Sequence, residues 1–112
     1  MILRYWRGWT TPENAEAYER IVATEVLPSI AARGVAGYDG AYLLRRDLDG
    51  EVEFATIMSF DSIESVRAFA GDDYETAHVP PRARQVLERF DERSAHFEVL
   101  LTPEQTRSAS GG

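Results

Sequence analysis

The order of sequence patterns along the 112-residue chain predicts an α+β fold in which helices cover one face of an antiparallel sheet. Three observations carry this prediction. An aromatic run leads into a capped amphipathic helix, an Asp-Gly pair joins two long apolar runs, and a second capped helix precedes a final apolar run near residue 100. The resulting order is βαββαβ, which is centred on a hairpin and is therefore not a doubly wound nucleotide-binding fold.

The first strand is predicted over residues 3–9, which are rich in aromatic side chains. Thr10 and Thr11 are alternative N-caps for the helix that follows, and Thr10 has capping-box spacing to Glu13. Apolar positions then recur at helical spacing: Ala15, Tyr18, Val22 and Val26. Pro28 should kink or end this helix, with one short further turn after it.

The Asp49-Gly50 pair between residues 41–48 and 51–60 predicts a hairpin with a two-residue turn, since glycine accepts the positive φ that such a turn needs. The turn also fixes the register of the two strands. It pairs Leu48 with Glu51, Arg46 with Glu53, Leu44 with Ala55, and Tyr42 with Ile57.

Alternation along this hairpin separates two faces. The face predicted to lie under the helices carries Ala41, Leu43, Arg45, Val52, Phe54, Thr56, Met58 and Phe60. The other face carries Tyr42, Leu44, Arg46, Glu53, Ala55, Ile57 and Ser59. That second face is more apolar than a sheet face open to water usually is, so a second copy of the chain is expected to cover it in a homodimer.

The second half of the chain supplies the remaining helix and strand. Residues 61–62 cap a helix that should end at Gly71, and residues 72–90 are expected to form a loop with one or two short helices. Residues 94–101 predict the fourth strand, and residues 102–112 a polar, disordered tail. The prediction is thus one ferredoxin-like domain over residues 1–101.

Composition excludes several chemistries. The chain has no cysteine and, since all twelve basic residues are arginine, no lysine, so thiol nucleophiles, Cys-ligated metals and Schiff bases are excluded. The net charge of −7 opposes binding to nucleic acid or anionic membranes. No segment is long and apolar enough to cross a membrane, and the N-terminus lacks a signal-peptide pattern, so a cytoplasmic protein is expected.

With this element order, the segments 4–8 (RYWRG), 42–46 (YLLRR), 69–73 (FAGDD) and 96–100 (HFEVL) make the chain similar to the antibiotic biosynthesis monooxygenase (ABM) domain family over residues 1–101. The resemblance implies a dimeric α+β barrel built from two such sheets. It also implies several possible activities, because the superfamily includes cofactor-independent quinone-forming monooxygenases, haem-degrading enzymes and isomerases.

The quinone-forming members imply an enzyme that uses O2 without flavin or metal, because a deprotonated electron-rich phenol can itself reduce oxygen. The protein then supplies a dry pocket, a base and groups that bind the anion. The aromatic candidates for holding a small aromatic or polyketide-like substrate are Trp6, Trp9, Tyr42, Phe54 and Phe69. Arg46 is a further candidate for binding the substrate. Candidate bases are His78 and His96, and candidate oxyanion partners are Arg7, Arg45 and Arg46.

Two alternatives stand beside this oxygenase. The haem-degrading members imply a haem ligand at His78, shortly after the second helix, although their tryptophan on that helix and asparagine in the first strand have no counterpart here. The other alternative is a non-catalytic module that binds a small molecule without turnover.

Most candidate residues also have a purely structural interpretation. His78 can be a surface residue before a Pro-Pro break, and His96 a hydrogen-bonded sheet residue at a dimer seam. Trp6 can be core, and Trp9, three residues on, must point to the opposite face of the strand. Arg46 can pair with the facing carboxylate across the hairpin rather than bind an anion.

Overall fold

The computed structural model describes residues 1–111, and the side chains of residues 1–107. Its elements follow in the order β1 (Ile2–Thr10), α1 (Pro12–Ile21), a π-helical segment (Val22–Val26), α2 (Leu27–Ala32), β2 (Tyr38–Leu48), β3 (Glu51–Phe60), α3 (Ile63–Ala70), α4 (Pro81–Val86), β4 (Arg89–Phe90), β5 (Ala95–Glu98) and α5 (Pro103–Gly111). None of the helices in this described part is long and apolar enough to span a membrane.

All strands belong to one antiparallel sheet, and the predicted ferredoxin-like α+β fold is confirmed. The strand order is β2-β3-β1, and both β4 and β5 pair with the free side of β1. The single last strand predicted at residues 94–101 is divided, because the chain between β4 and β5 leaves β1 and bonds to the preceding loop. There the amide of Ala77 donates to the carbonyl of Glu92, and the amide of Ser94 donates to that of Glu75.

The caps of α1 and α3 resolve the choices that the sequence leaves open. The Thr11 hydroxyl accepts a hydrogen bond from the Asn14 amide at 3.2 Å, so Thr11 is the N-cap of α1. Thr10 instead is fully buried at the end of β1, where its hydroxyl donates to the carbonyl of Val86. Ser62 caps α3 in the same way as Thr11 caps α1, by accepting from the Ser65 amide.

The first helical region does not end at Pro28; it changes geometry just before this residue, and the short further turn predicted after it is α2. Its middle turn, Val22–Val26, is π-helical, and α2 then begins with Pro28 in its first turn. Proline has no amide hydrogen and its ring clashes with the carbonyl one turn earlier in a regular α-helix, so a wider turn before it relieves this clash. Val22 of this wider turn is buried and faces the sheet.

The β2–β3 hairpin has the predicted register, from Leu48 opposite Glu51 to Tyr42 opposite Ile57. Gly50 has a φ of 76°, which is the left-handed conformation that the turn requires. A bulge between Tyr38 and Gly40 ends the regular pairing at the other end of β2.

The two faces of the sheet differ as predicted. On the helix-covered face, Phe54 packs on Tyr18 of α1 with ring centroids 4.8 Å apart, and both side chains are buried. On the open face, Tyr42 is 68% exposed and Leu44 43%. The fold therefore has one face packed under the helices and one open face on which Tyr42 and Leu44 are exposed.

The segment predicted as a disordered tail forms α5 over residues 103–111, and Gly112 lies outside the described residues. Thr102 and Gln105 cap this helix reciprocally. The amide of Gln105 donates to the Thr102 hydroxyl at 3.2 Å, and the amide of Thr102 donates to Oε1 of Gln105 at 2.8 Å. This is a capping box, and it explains why a polar segment begins a helix here.

Candidate functional site

A cavity of about 320 Å³ lies between the helix-covered face of the sheet and the helices above it. Every layer of the fold contributes to its wall. The sheet contributes Arg4 and Trp6 of β1 and Thr56 and Met58 of β3. The helices contribute Tyr18 of α1, Val22 of the π-helical segment, Ile30 of α2, Phe69 and Ala70 of α3, and Ala83 of α4. The remaining lining residues lie between these elements: Arg33, His78, Val79, Pro80 and Ser94. Most of this surface is apolar, as expected for a pocket that binds a small organic molecule.

Trp6 forms the aromatic part of the floor and is fixed in place by its neighbours. Its indole Nε1 donates to the carbonyl of Asp91 at 2.7 Å, and its ring lies against Phe90 with centroids 6.1 Å apart. Gly8, two residues along the same strand face, leaves the room for it, because a Cβ there would lie 2.8 Å from the Trp6 ring. The indole is thus held in one orientation by a hydrogen bond and by the absence of a side chain beside it.

Arg4 is the buried charge of the cavity, with only 5% of its surface exposed. Its Nη1 donates to the carbonyl of Tyr74 and contacts Nε2 of His96 at 2.9 Å, while Nη2 donates to the carbonyl of Thr76 at 3.5 Å. These partners are all neutral, and no carboxylate of the described residues forms an ion pair with Arg4. Burial accordingly lowers the pKa of Arg4.

His96 is held in a defined protonation state by Arg4. A guanidinium group has only donors, so the Nε2 atom of His96 must accept, and the proton of the neutral ring must be on Nδ1. Burial lowers the pKa of His96, and the positive charge of Arg4 lowers it further. Tyr74 closes the other side of the ring in an edge contact at 5.1 Å. His96 is therefore a neutral partner of Arg4, and the lone pair on its Nε2 atom already accepts a hydrogen bond.

His78 lies at the mouth of the cavity, in the loop between α3 and α4, and its side chain is exposed to solvent. The loop itself is anchored, since Thr76 and Arg93 form an isolated antiparallel bridge and Arg93 pairs with Glu75. His78 is thus an imidazole at the entrance, carried by a segment that is tied to the end of the sheet.

Phe69 adds a second aromatic ring to the cavity wall, and two guanidinium groups lie against it. The Arg4 group is 5.7 Å from the ring centroid and the Arg33 group 4.9 Å. Arg33 follows α2, is exposed at its outer side, and donates to the carbonyl of Phe69 at 3.0 Å. The cavity wall therefore combines aromatic surface with two cations.

The structure brings together some of the candidate residues and separates others. Trp6, Phe69 and His78 all line the cavity, and His96 stands directly behind Arg4. Phe54 does not line it, because this ring is fully buried in the core beneath Tyr18. Arg45 lies at the outer edge of the helix-covered face, paired with Asp47 and Glu19.

The remaining candidates lie on the open face, away from the cavity. Arg7 pairs with Asp91 there, with Nε and Oδ2 2.9 Å apart, and Arg46 pairs with Glu53. Tyr42 is exposed beside them. Trp9 is buried on this face, as its three-residue offset from Trp6 requires, and its Nε1 donates to Glu53. Within one chain, Arg7, Arg46 and Trp9 thus bond to carboxylates, and Tyr42 is exposed away from the cavity.

Sequence reasoning did not select several lining residues, chiefly Arg4, Arg33, Thr56, Met58 and Ser94. One signal for Arg4 was available, because strand alternation places it on the same face as Trp6. Arg33 has no local signal, since its place at the cavity depends on its contact with Phe69, 36 residues further along the chain. The described residues contain no group of three His, Asp or Glu side chains that could bind a metal ion.

Comparisons with solved structures give the fold a context. The chain is similar to the heme degrader MhuD of Mycobacterium tuberculosis, solved with two hemes bound in its active site, with a TM-score of 0.61 and 23% identity over 91% of this chain and 98% of that one. A point mutant of MhuD with two manganese protoporphyrin IX molecules per active site gives a TM-score of 0.56 at 23% identity, covering 91% and 97%.

A proposed antibiotic biosynthesis monooxygenase from Bacillus cereus is also similar, with a TM-score of 0.59 and 12% identity over 90% of this chain and 92% of that one. No protein-family model and no curated protein sequence matches the chain. At these identities the likeness concerns the fold, and at that level the resemblance to ABM domains is confirmed.

Proposed function

We propose that the cavity binds a small phenolic aromatic molecule and that the protein oxidises it with O2, without a bound cofactor. The observation that carries this proposal is a buried guanidinium group without a carboxylate partner, Arg4, in the wall of a cavity whose surface is mostly apolar. Such a cation stabilises a phenolate far more strongly in a low-dielectric site than it would in water.

The residues of the cavity divide the chemistry between them. His78 at the mouth takes the phenolic proton as the substrate enters, before the oxygen atom reaches Arg4, and none of the hydrogen bonds found for the described residues involves its imidazole. Arg4 binds the phenolate oxygen, while Trp6 and Phe69 hold the ring. The electron-rich anion then reduces O2; one oxygen atom enters the ring as a quinone carbonyl, and the other leaves as water.

His96 is assigned a different role. Its Nε2 atom accepts from Arg4, so it cannot at the same time accept the substrate proton. We therefore expect His96 to position the guanidinium group of Arg4 and not to act as the base.

Oxygen uptake tests the proposal. Purified, metal-stripped protein is incubated with hydroquinones, anthrones and naphthols, and the wild type is compared with His78→Gln and His96→Gln. We expect His78→Gln to lower the rate at least about a hundredfold, the usual contribution of a general base, and His96→Gln to lower it less. Uptake equal to the autoxidation blank for every substrate, or a rate indifferent to His78→Gln, would contradict the proposal.

A haem protein is the second candidate. The position of His78 favours it, because imidazole is a common ligand of haem iron and His78 lies at the cavity mouth. The cavity fits this group poorly. Its volume of about 320 Å³ is at the lower end of the range for small-molecule pockets, roughly 300–1,000 Å³, and suits one or two rings better than a tetrapyrrole. Absorbance tests this second candidate, and we expect haemin to give no Soret shift that depends on His78. A shift that is present with the wild type and absent with His78→Ala would support the haem protein.

We also propose that two copies of the chain form a homodimer through their open faces. Tyr42, Leu44 and Phe97 are exposed there by 68%, 43% and 55%. A second sheet packed on this face would bury them and would turn two half-covered sheets into one closed core. A mass near 12.6 kDa by light scattering at micromolar concentration would contradict the dimer.

A further inference from the structure

The charge of the cavity is opposite to the charge of the protein. The chain has 19 acidic and 12 basic residues, yet the described lining contains two arginines and no aspartate or glutamate. In contrast, arginines outside the cavity are commonly bonded to carboxylates, as in Arg7 with Asp91 and Arg46 with Glu53. An acidic protein that keeps its carboxylates away from one pair of cations has a cavity suited to an anion.

The two cations are at different depths. Arg4 is buried and Arg33 is exposed at the mouth, and both lie against the ring of Phe69, at 5.7 and 4.9 Å. The described residues place no carboxylate within ion-pair distance of either group. A ligand that satisfies both cations therefore needs two anionic positions, one inside the cavity and one at its entrance.

Arg4 has donors to spare for such a ligand. A guanidinium group carries five N–H donors, and three are used in bonds to the carbonyls of Tyr74 and Thr76 and to His96. The Nε–H group and one Nη2–H remain. The hydroxyl groups of Thr56 and Ser94 also belong to the lining and can donate to an oxygen atom bound beside Arg4.

From this geometry we infer that the ligand is a phenolic aromatic acid, in which Arg4 binds the phenolate oxygen and Arg33 binds a carboxylate on the same one- or two-ring system. The inference rests on the proposed function in taking this cavity as the ligand site and Arg4 as the partner of the phenolate oxygen. It adds the carboxylate and its partner Arg33 to what that function requires. The flat ring then lies between the indole of Trp6 and the ring of Phe69.

Calorimetric titration of the full chain tests the inference with three matched probes: a hydroxynaphthoate, its methyl ester, and naphthol. We expect the acid to bind at least about tenfold more tightly than the ester, because a charge-assisted hydrogen bond is lost on esterification. Arg33→Met should remove this preference, and it should lower the affinity for the acid more than the affinity for naphthol. Arg4→Met should weaken both the acid and naphthol.

Arg20→Met is the matched control, since Arg20 is an exposed arginine of α1 outside the cavity and its loss changes the net charge equally. Acid binding should be the same in this variant as in the wild type. If the ester binds as well as the acid, or if Arg20→Met weakens the acid as much as Arg33→Met does, the inferred ligand is wrong. Arg33→Met carries the test if Arg4→Met does not fold.

The same probes separate this inference from the proposed oxygenase. Arginine-dependent binding of the acid without oxygen uptake would support the ligand and contradict the oxygenase. Oxidation of naphthol without any preference for the acid would overturn the ligand and support the oxygenase. Metal-free protoporphyrin IX is a further arm, because it also carries carboxylates on a flat ring; tighter Arg33-dependent binding of protoporphyrin than of the acid would overturn the small-acid ligand.

Discussion

On the open face of the sheet the arginines are bonded to carboxylates, whereas on the helix-covered face the cavity arginines are not. Arg7, Arg46 and Arg89 each have a carboxylate partner, Asp91, Glu53 and Glu51. Arg4 and Arg33 have carbonyls, a neutral histidine and an aromatic ring instead. The same residue type thus joins strands on one face and is left available for a ligand on the other, and only the partners reveal which.

The largest expected difference between the faces concerns packing. Phe54→Ala should lower the free energy of unfolding by about 3–5 kcal/mol, because it removes a fully buried ring that packs on Tyr18. Tyr42→Ala, an aromatic truncation of the same hairpin on the open face, is the matched control. Urea denaturation is measured at a protein concentration below the dissociation constant of the proposed dimer. The free energy of unfolding of this control should then change by no more than about 0.5 kcal/mol. Equal losses would mean that the faces are not distinct.

A smaller effect is expected from the polar network of the open face. Glu53 is buried and accepts from Nε1 of Trp9 at 3.1 Å and from Nη2 of Arg46 at 3.0 Å. Glu53→Ala should cost about 1–3 kcal/mol, because the buried indole donor loses its acceptor. Arg46→Met should cost less than about 1 kcal/mol, since that side chain is largely exposed. An Arg46→Met loss as large as that of Glu53→Ala would contradict this assignment.

The pH dependence of stability tests the support of Arg4 by His96. Because the pKa of His96 is lowered in the folded state, the unfolded chain binds the proton more readily, and stability should fall as pH drops below the ordinary value of 6.5. The contribution of His96 to the slope of the free energy of unfolding against pH cannot exceed about 1.4 kcal/mol per pH unit, the value for one proton. Between pH 7 and 5, His96→Gln should flatten the thermal-stability profile. A profile as steep in His96→Gln as in the wild type would contradict this support.

The smallest effect on folding is expected where the effect on assembly is largest. Leu44→Glu places a charge on the exposed apolar part of the open face and should change stability of the isolated chain by no more than about 0.5 kcal/mol. Light scattering should nevertheless show a shift from dimer to monomer. Glu16→Gln, an exposed change on α1, should leave the mass unaltered. A dimer that tolerates Leu44→Glu would need another interface.

Much of the fold is encoded locally. The Asp49-Gly50 turn determines the register of β2 and β3, and alternation then determines which hairpin residues are buried. Sequence reasoning does not predict the division of the last strand into β4 and β5. This division depends on backbone hydrogen bonds to residues 75–77, and local strand propensity does not report such contacts.

The site is less accessible to sequence reasoning because it forms between elements that are distant in the chain. Trp6, Phe69 and His78 were selected by residue type, but type alone also selected Arg7 and Arg46, which the structure pairs with carboxylates. Arg4 is distinguished by the lack of a charged partner, and such a feature exists only once β1, the loop before α4 and β5 are folded together.

The most direct test of the account uses the two tryptophans, because Trp6 and Trp9 lie on opposite faces of β1 and each has one indole N–H resonance. A proton–nitrogen correlation spectrum is recorded during titration with a hydroxynaphthoate, and Trp6→Phe assigns the two peaks. We expect the Trp6 peak to move in proportion to occupancy while the Trp9 peak stays in place. Movement of the Trp9 peak alone would place the ligand on the open face and contradict the cavity as the functional site.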